Sequence, residues 1–489
     1  MSVAEAPTRG WRATGAVSLV AFGLRAAVAL WAAGRFPASA DGQYYQKLAL
    51  RLAAGEGYTW PWPDGVVTYA AHYPVGYPAM LAVLYAIFGP SLTVAMLFNA
   101  VVGGLGAGAA HRIALRRATP RMALVGALAV ALHPALVFYT PAIMTEGITA
   151  SLLLIAFAVL LEVRRPWLGL VLGGVLMGVA TLVRPQCILL APFLGALHPA
   201  STSIPKRAKS AAAVLVVALL CCAPWTARNC VHMNRCALVS VNGGWNLLIG
   251  TQTEQGAWTE LAVPEECRNV FDEAGKDACF EKAAKASIAA RPGAWLAKAP
   301  QKVAVTFDYF GAAPFYLHLA NATVFPEEAK LRLGVLETVV SRLLLALALL
   351  VATRLAMERA AVGAAGRRAR IAWLALGLVA LGFALSRHAW PAYGVLGLLA
   401  ARVARDEPLF GFASAVLFST MVIHAAFFGA GRYGLVVVPF VTLIAFARPL
   451  RDANVFAMLR GPSSVGQSPA ASASKRREES PSSTEYGAG

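Results

Sequence analysis

Apolar runs of about 15–22 residues follow one another along most of the chain, separated by Arg-rich or Pro/Gly-rich breaks, and this pattern predicts membrane-spanning helices. About twelve are read, centred in 14–34, 92–111, 122–139, 146–162, 167–183, 186–198, 210–225, 335–353, 371–386, 390–403, 408–428 and 434–448. The alternating ten-residue segments of a β-barrel are not seen. Several runs fall short of the roughly 20 residues a crossing needs, so one or two are expected to be re-entrant. On this map the outward pieces are 35–91, the short turn from Tyr139 to Glu146, the turn at Arg184, a long loop from about Thr226 to Gly334, and the turns at Arg387 and Arg432. The expected class is an all-α polytopic membrane protein. Its parts are a cytoplasmic N-terminus (1–13), an N-terminal transmembrane catalytic module (14–225) that includes loop 35–91, an external cap (226–334), C-terminal transmembrane helices (335–450) and a disordered cytoplasmic tail (451–489).

The outward pieces carry their own patterns. In SADGQYYQKLALRLAAGEGYTW, from Ser39, Tyr45, Leu48, Ala49 and Leu52 share a helical face while Lys47 and Arg51 lie elsewhere, as in a helix lying along lipid headgroups. It ends at Gly55 and Gly57. A second turn, AAHYPVGYPAMLAVLYAIFG, brings His72, Tyr73 and Tyr77 to the same surface before a short apolar helix. In the long loop, the stretch from Glu266 to Val305 reads as soluble amphipathic helices with Phe271, Cys279, Ala283 and Ile288 roughly on one side. From Gly461 the Ser/Pro/Gly/Ala-rich tail, with a charge cluster from Lys475 to Glu479, is expected to stay unfolded.

Composition supports the membrane reading: the 489 residues are 58% hydrophobic and 14% charged, with mean hydropathy +0.60, a surface no water-soluble domain would keep in solution. The net charge of +18 raises nucleic acid as a partner, and the placement of the basic residues argues against it. They fall between spans: Arg9 and Arg12; Arg112, Arg116, Arg117 and Arg121; Arg164 and Arg165; Lys206, Arg207 and Lys209; Arg354, Arg359, Arg367, Arg368 and Arg370; Arg402 and Arg405; Arg448 and Arg451. With each cluster cytoplasmic, the spans alternate without contradiction and both termini lie in the cytoplasm. A cleaved signal peptide ending at Ala38-Ser39-Ala40 is the competing view of the N-terminus, but the apolar stretch is long and contains Arg25.

Cys187, Cys221 and Cys222 lie in apolar spans, whereas Cys230, Cys236, Cys267 and Cys279 all fall in the long external loop. An oxidising compartment allows two disulfides there, most simply Cys230 with Cys236 and Cys267 with Cys279; four free thiols in a reducing loop are the alternative. No CxxC or His pairing points to a metal. Asn321-Ala322-Thr323 is a glycosylation sequon, of consequence in a eukaryotic host.

Two acids stand at the external rim of an acid-poor core: Asp41, and Glu146 in HPALVFYTPAIMTEGITASLLL, at the outward start of a span. Each has a local explanation, Asp41 as a helix N-cap and Glu146 as an acid favoured by exposed helix N–H groups. Rim acids are also functional candidates. Arg184, Arg228, Arg387 (beside His388) and Arg432 face the same side, either as interfacial anchors or as a set able to hold a phosphate. Arg432 and Arg184 are the preferred pair. A sugar on a lipid phosphate already has a stable anionic leaving group, so one general base, Asp41, suffices to activate an acceptor hydroxyl, with Arg or a metal stabilising the phosphate. In-line attack inverts the anomeric centre.

These residues resemble the C-type (GT-C) polyprenyl-phosphate-sugar-dependent glycosyltransferases, most closely bacterial proteins related to protein O-mannosyltransferases and to the lipid A aminoarabinose transferase. The resemblance rests on SADGQYYQKLALRLAAGEGY at Ser39, HYPVGYPAMLAVLYAIFGPS at His72, FYTPAIMTEGITASLLL at Phe138, GVATLVRP at Gly178, APWTARN at Ala223 with VNGGWNLLIG at Val241, and GRYGLVVVPF at Gly431, in the family's order across about 30–440. It implies a GT-C fold, an exoplasmic active site, Asp41 as catalytic base and Glu146 as a second acid that binds or orients substrate. It puts His72 and Tyr73 where some members hold metal or phosphate through an acid and a lysine. With Tyr45, Arg184, Arg228 and Arg432 these form the expected substrate and phosphate site. The departure at 72 and 73 leaves a divalent metal open, and no other cofactor is implied. Pro74-Val75 replaces a common Pro-Pro pair, and Gly42 stands where many relatives have a second adjacent acid.

The expected function is transfer of a hexose or pentose from a polyprenyl-phosphate donor to a hydroxyl of an envelope lipid, glycan or protein, in the plasma or inner membrane and facing away from the cytoplasm. The chain has no nucleotide-binding Gly-rich motif. A polysaccharide polymerase or ligase is the nearest rival, but leaves Asp41 without a role. A transporter or flippase would put ionisable residues near the midplane in two related halves, where only Arg25 is found.

Overall fold

The computed structural model describes residues 10–360, 363–405 and 407–447. The expected tail from 451 and most of the N-terminal segment lie outside the described residues. Seven helices among those described are long and apolar enough to cross a membrane: Trp11–Ala32, Leu92–Ala114, Pro166–Val183, Ile204–His232, Glu327–Glu358, Ala364–Leu385 and Pro408–Ala426. Each falls on an expected span. The other expected spans are shorter or interrupted. Span 122–139 is the pair Pro120–Ala131 and Pro134–Phe138, and 146–162 is one 17-residue helix, Glu146–Glu162. Span 186–198 is a 3-10 turn, Pro185–Leu190, running into Ala191–Ala196. Span 390–403 is the short helix Trp390–Val403, and 434–448 is a turn, Gly431–Val436, followed by Val438–Ala445. Proline explains the breaks at Pro134 and Pro185, because its ring removes a backbone donor and clashes with the preceding turn.

Such short pieces are tolerated where protein rather than lipid surrounds them. The Glu146–Glu162 helix is buried on most sides. Arg25 of the first helix donates to Ala131 O at 2.7 Å, satisfying a carbonyl at the break after Pro120–Ala131. Glycines let the helices approach: a Cβ on Gly104 or Gly108 of Leu92–Ala114 would meet Ser18, and one on Gly106 would meet Ser151 at 2.8 Å.

The Glu146–Glu162 helix has an acid at each end, about 25 Å apart at 1.5 Å per residue. Glu162 pairs with Arg112 and Arg116, and nearby acid Glu407 pairs with Arg117 and Arg359, so the basic clusters gather at one end of the bundle. Glu146 lies at the other.

Around Glu146 the outer elements assemble. The helix Asp41–Ala53 buries Gly42, Tyr45, Leu48 and Ala49, the expected face without Leu52. A two-stranded antiparallel hairpin follows, Thr59–Pro61 with Val67–Tyr69 and Thr59 opposite Tyr69, then the helix Gly76–Phe88. The helix Ile204–His232 runs past the expected end at 225, so Arg228 and Cys230 sit on it rather than in a loop. In the cap, Gly243–Gln252 packs on Glu273–Ala290. On the second cap helix Cys279 and Ala283 pack against the cluster of Leu248, Cys267, Phe280 and Ala284 as expected, but Phe271 is corrected: it precedes the helix and is exposed. Disulfides join Cys230 to Cys236 and Cys267 to Cys279.

Candidate active site

Asp41 opens its helix as the first helical residue, and no side chain caps that end, so Asp41 is not the N-cap. That position belongs to Ala40, whose φ of 50° is a conformation non-glycine residues rarely adopt, and local strain thus sits beside the acid. The carboxylate faces Arg432: Nη2 lies 2.6 Å from Oδ2. The Nε of the same guanidinium is 3.4 Å from Glu146 Oε1, which is also 3.0 Å from Arg184 Nη1. Tyr139 Oη donates to the other Glu146 oxygen at 3.2 Å. Asp41, Arg432, Glu146 and Arg184 therefore form one alternating chain of charge, closed below by Tyr433, whose ring lies 4.8 Å from Arg184 and 5.2 Å from Arg432. His424 stacks on Tyr433 with ring centres 4.1 Å apart.

The two acids differ in access. The Asp41 side chain is 33% exposed and that of Glu146 2%, so only Asp41 meets an incoming molecule without rearrangement. Burial alone would push the Arg432 guanidinium down, but Asp41, and less strongly Glu146, outweigh it and hold it above its ordinary value. Arg184 behaves likewise, with Glu146 overcoming burial. Arg432 Nε is buried and, although in ion contact with Glu146, makes no hydrogen bond.

Aromatic groups wall the Asp41 side. Tyr44 stacks on Tyr73 at 4.9 Å, Tyr45 meets Tyr73 edge-on at 5.4 Å, and His72 lies edge-on to Tyr73 at 4.9 Å and to Trp245 of the cap at 5.2 Å. Burial raises the Tyr45 and Tyr73 phenols, with Asp41 adding to both, so they remain hydrogen-bond donors. Burial pushes His72 down to about 4, against the opposing pull of Asp41. His72 is therefore neutral near pH 7 and offers a hydrogen bond rather than a positive charge to phosphate.

Arg228 does not join this cluster. It donates to Ala70 O and Tyr58 O, both at 2.8 Å, and faces the Trp225 ring at 4.8 Å, tying the first loop to the Ile204–His232 helix. Arg387 and His388 are exposed, and His388 lies near Asp308. Tyr139, Tyr433, Trp245 and Glu273 were not singled out from the sequence. Glu273 Oε2 accepts the N–H groups of Ala71 (2.6 Å) and His72 (2.9 Å), which fastens the cap to the loop bearing His72 and Tyr73. Among the described residues no group of three or more His, Cys, Asp or Glu could hold a metal. Both acids are already bridged by a guanidinium that would repel a cation, so these residues do not fit the divalent metal left open above.

The family model described as dolichyl-phosphate-mannose-protein mannosyltransferase matches residues 72–227, in line with the resemblance carried by the motifs. No curated protein sequence matches the chain. Among solved structures, the chain is similar to the archaeal oligosaccharyltransferase AglB from Archaeoglobus fulgidus, in complex with an inhibitory peptide and a dolichol-phosphate, at 14% identity over 88% of this chain and 50% of that one, with a TM-score of 0.40. The apo form from the same organism gives 14% identity, 90% and 50% coverage and a TM-score of 0.43. ArnT from Cupriavidus metallidurans bound to undecaprenyl phosphate gives 16% identity over 90% of this chain and 78% of that one, with a TM-score of 0.36. The chain spans about half the length of the archaeal oligosaccharyltransferases it matches.

Proposed function

We propose that the protein is a GT-C-type membrane glycosyltransferase that moves a sugar from a polyprenyl-phosphate carrier to a hydroxyl of an envelope lipid, glycan or protein on the non-cytoplasmic face. The observation that carries this reading is Arg432, shared between an accessible and a buried carboxylate and holding one buried N–H without a hydrogen bond. The family description supports the class of donor. The bundle's poles support the choice of face: the positive-inside rule favours a cytoplasmic location for the arginine-rich end around Glu162, and Glu146 stands at the opposite end.

In this reading the donor phosphate binds Arg432, with Arg184 behind it, and competes with Asp41 for the guanidinium. Asp41 Oδ2, freed from its 2.6 Å partner, accepts the proton of the acceptor hydroxyl as its oxygen attacks the anomeric carbon. The bond from that carbon to the phosphate oxygen breaks, its electron pair stays on the polyprenyl phosphate, and the arginines stabilise the charge that develops there. The product has inverted configuration. Glu146, enclosed by Arg184 and Tyr139, holds the arginines in place rather than taking the proton.

Purified protein in lipid, supplied with the host's envelope fraction as acceptor, separates the donor classes. A radiolabelled sugar is expected to move from polyprenyl phosphate and not from a nucleotide. Transfer from the nucleotide sugar alone would overturn the reading.

A further inference from the structure

The two acid-bearing segments are far apart in sequence, and a third element joins them. The helix Ala312–Ala320, near the end of the 226–334 stretch and just before the Glu327–Glu358 helix, carries Tyr316, which is 5% exposed. Tyr316 Oη accepts two backbone hydrogen bonds, from Ser39 N–H and from Ile143 N–H, each at 3.3 Å. Ser39 lies just ahead of Asp41 in the chain, and Ile143 just ahead of Glu146.

The neighbourhood is built around that oxygen. A Cβ on Gly42 would stand 2.8 Å from Ile143 O and 3.3 Å from Tyr316 Oη, so the residue after Asp41 has no room for a side chain. The Tyr316 ring lies 5.8 Å from that of Tyr139, the residue that donates to Glu146. The helix is fastened at its C-terminal end, where Asn321 Nδ2 donates to Arg35 O at 2.8 Å.

We infer that Tyr316 is a positioning residue which, through its hydroxyl oxygen, sets the separation of Asp41 and Glu146 and so the two ends of the Arg432 bridge. Neither acid touches Tyr316. The hydroxyl holds the backbone on which each is mounted, and a small displacement there changes how Arg432 is shared. This rests on the proposed roles of the two acids.

The test is Tyr316→Phe, which keeps the ring and removes the acceptor, read by hydrogen exchange and by transfer kinetics in the same lipid preparation. Exchange in peptides covering Ser39 and Ile143 is expected to speed up about tenfold or more in both, with other regions unchanged. The kcat for transfer should fall about ten- to a hundredfold while KM for the donor stays within about twofold, the split expected of misplacement rather than lost binding. Unchanged exchange overturns the inference, and so does faster exchange with a wild-type kcat. If the variant does not accumulate, exchange in the wild type decides: both amides should be protected and open together, and rapid exchange of either defeats the inference. Wild-type activity in Asp41→Asn would instead defeat the proposed function, leaving the exchange result to judge whether Tyr316 joins the segments.

Discussion

At the scale of single residues, the site turns on a guanidinium shared by two carboxylates. Arg432→Lys keeps the charge but replaces a planar fork with a point donor that cannot span Asp41 and Glu146. Transfer is expected to drop about tenfold or more while the melting temperature barely moves; wild-type transfer by Arg432→Lys would show that the bridge is dispensable. His72 gives a pH signature. The unfolded chain takes a proton at the ordinary value of 6.5, whereas the folded imidazole resists protonation until about 4. Its contribution to stability is therefore complete above pH 6.5 and lost as the pH falls from 6.5 towards 4. Melting curves of the wild type should fall more steeply across that window than those of His72→Gln, and parallel curves would rule out this assignment. Asp41, Glu146, Arg184 and Arg432 were legible because a charge in apolar surroundings needs a reason. Tyr139 and Tyr433 were not, because a tyrosine in an apolar run reads equally well as packing. The setting of Arg228 was not legible because sequence gives a charge without its partners, here two carbonyls of the first loop.

At the scale of elements, helix contacts set where the acids stand. Gly106 lets the Leu92–Ala114 helix lie against Ser151 of the helix that begins at Glu146, and a Cβ there would come within 2.8 Å. Gly106→Val is expected to destabilise the protein by about 1–3 kcal/mol through overpacking, measured as unfolding in detergent, and to lower transfer by shifting Glu146. Unchanged stability would mean that the close approach is not needed. The long spans were legible from hydropathy, since a helix facing lipid must be apolar along its whole length. The short ones were not, because hydropathy does not distinguish a segment wrapped in protein from one facing lipid, and Glu146–Glu162 and Val438–Ala445 are largely wrapped. On the cap helix only Phe271 was misplaced, because it was put on a helix that starts at Glu273; Cys279 and Ala283 pack beside the buried Phe280.

At the scale of the whole molecule, charge is sorted to two poles. One gathers Arg112, Arg116, Arg117 and Arg359 around Glu162 and Glu407; the other holds the Asp41–Arg432–Glu146–Arg184 chain under the cap. An arginine-rich pole of this kind is what the positive-inside rule associates with a cytoplasmic end. The helical character of the stretch from Glu273 to Ala290 was legible, but its fastening to the first loop through Glu273 was not, because that contact joins positions about 200 residues apart. The account's central claim is that Asp41 takes the acceptor's proton. Its most direct test is turnover of a labelled polyprenyl-phosphate sugar by wild type and by Asp41→Asn, with equal folding verified by melting. The account predicts at least about a hundredfold loss of kcat in Asp41→Asn; turnover equal to wild type would contradict it.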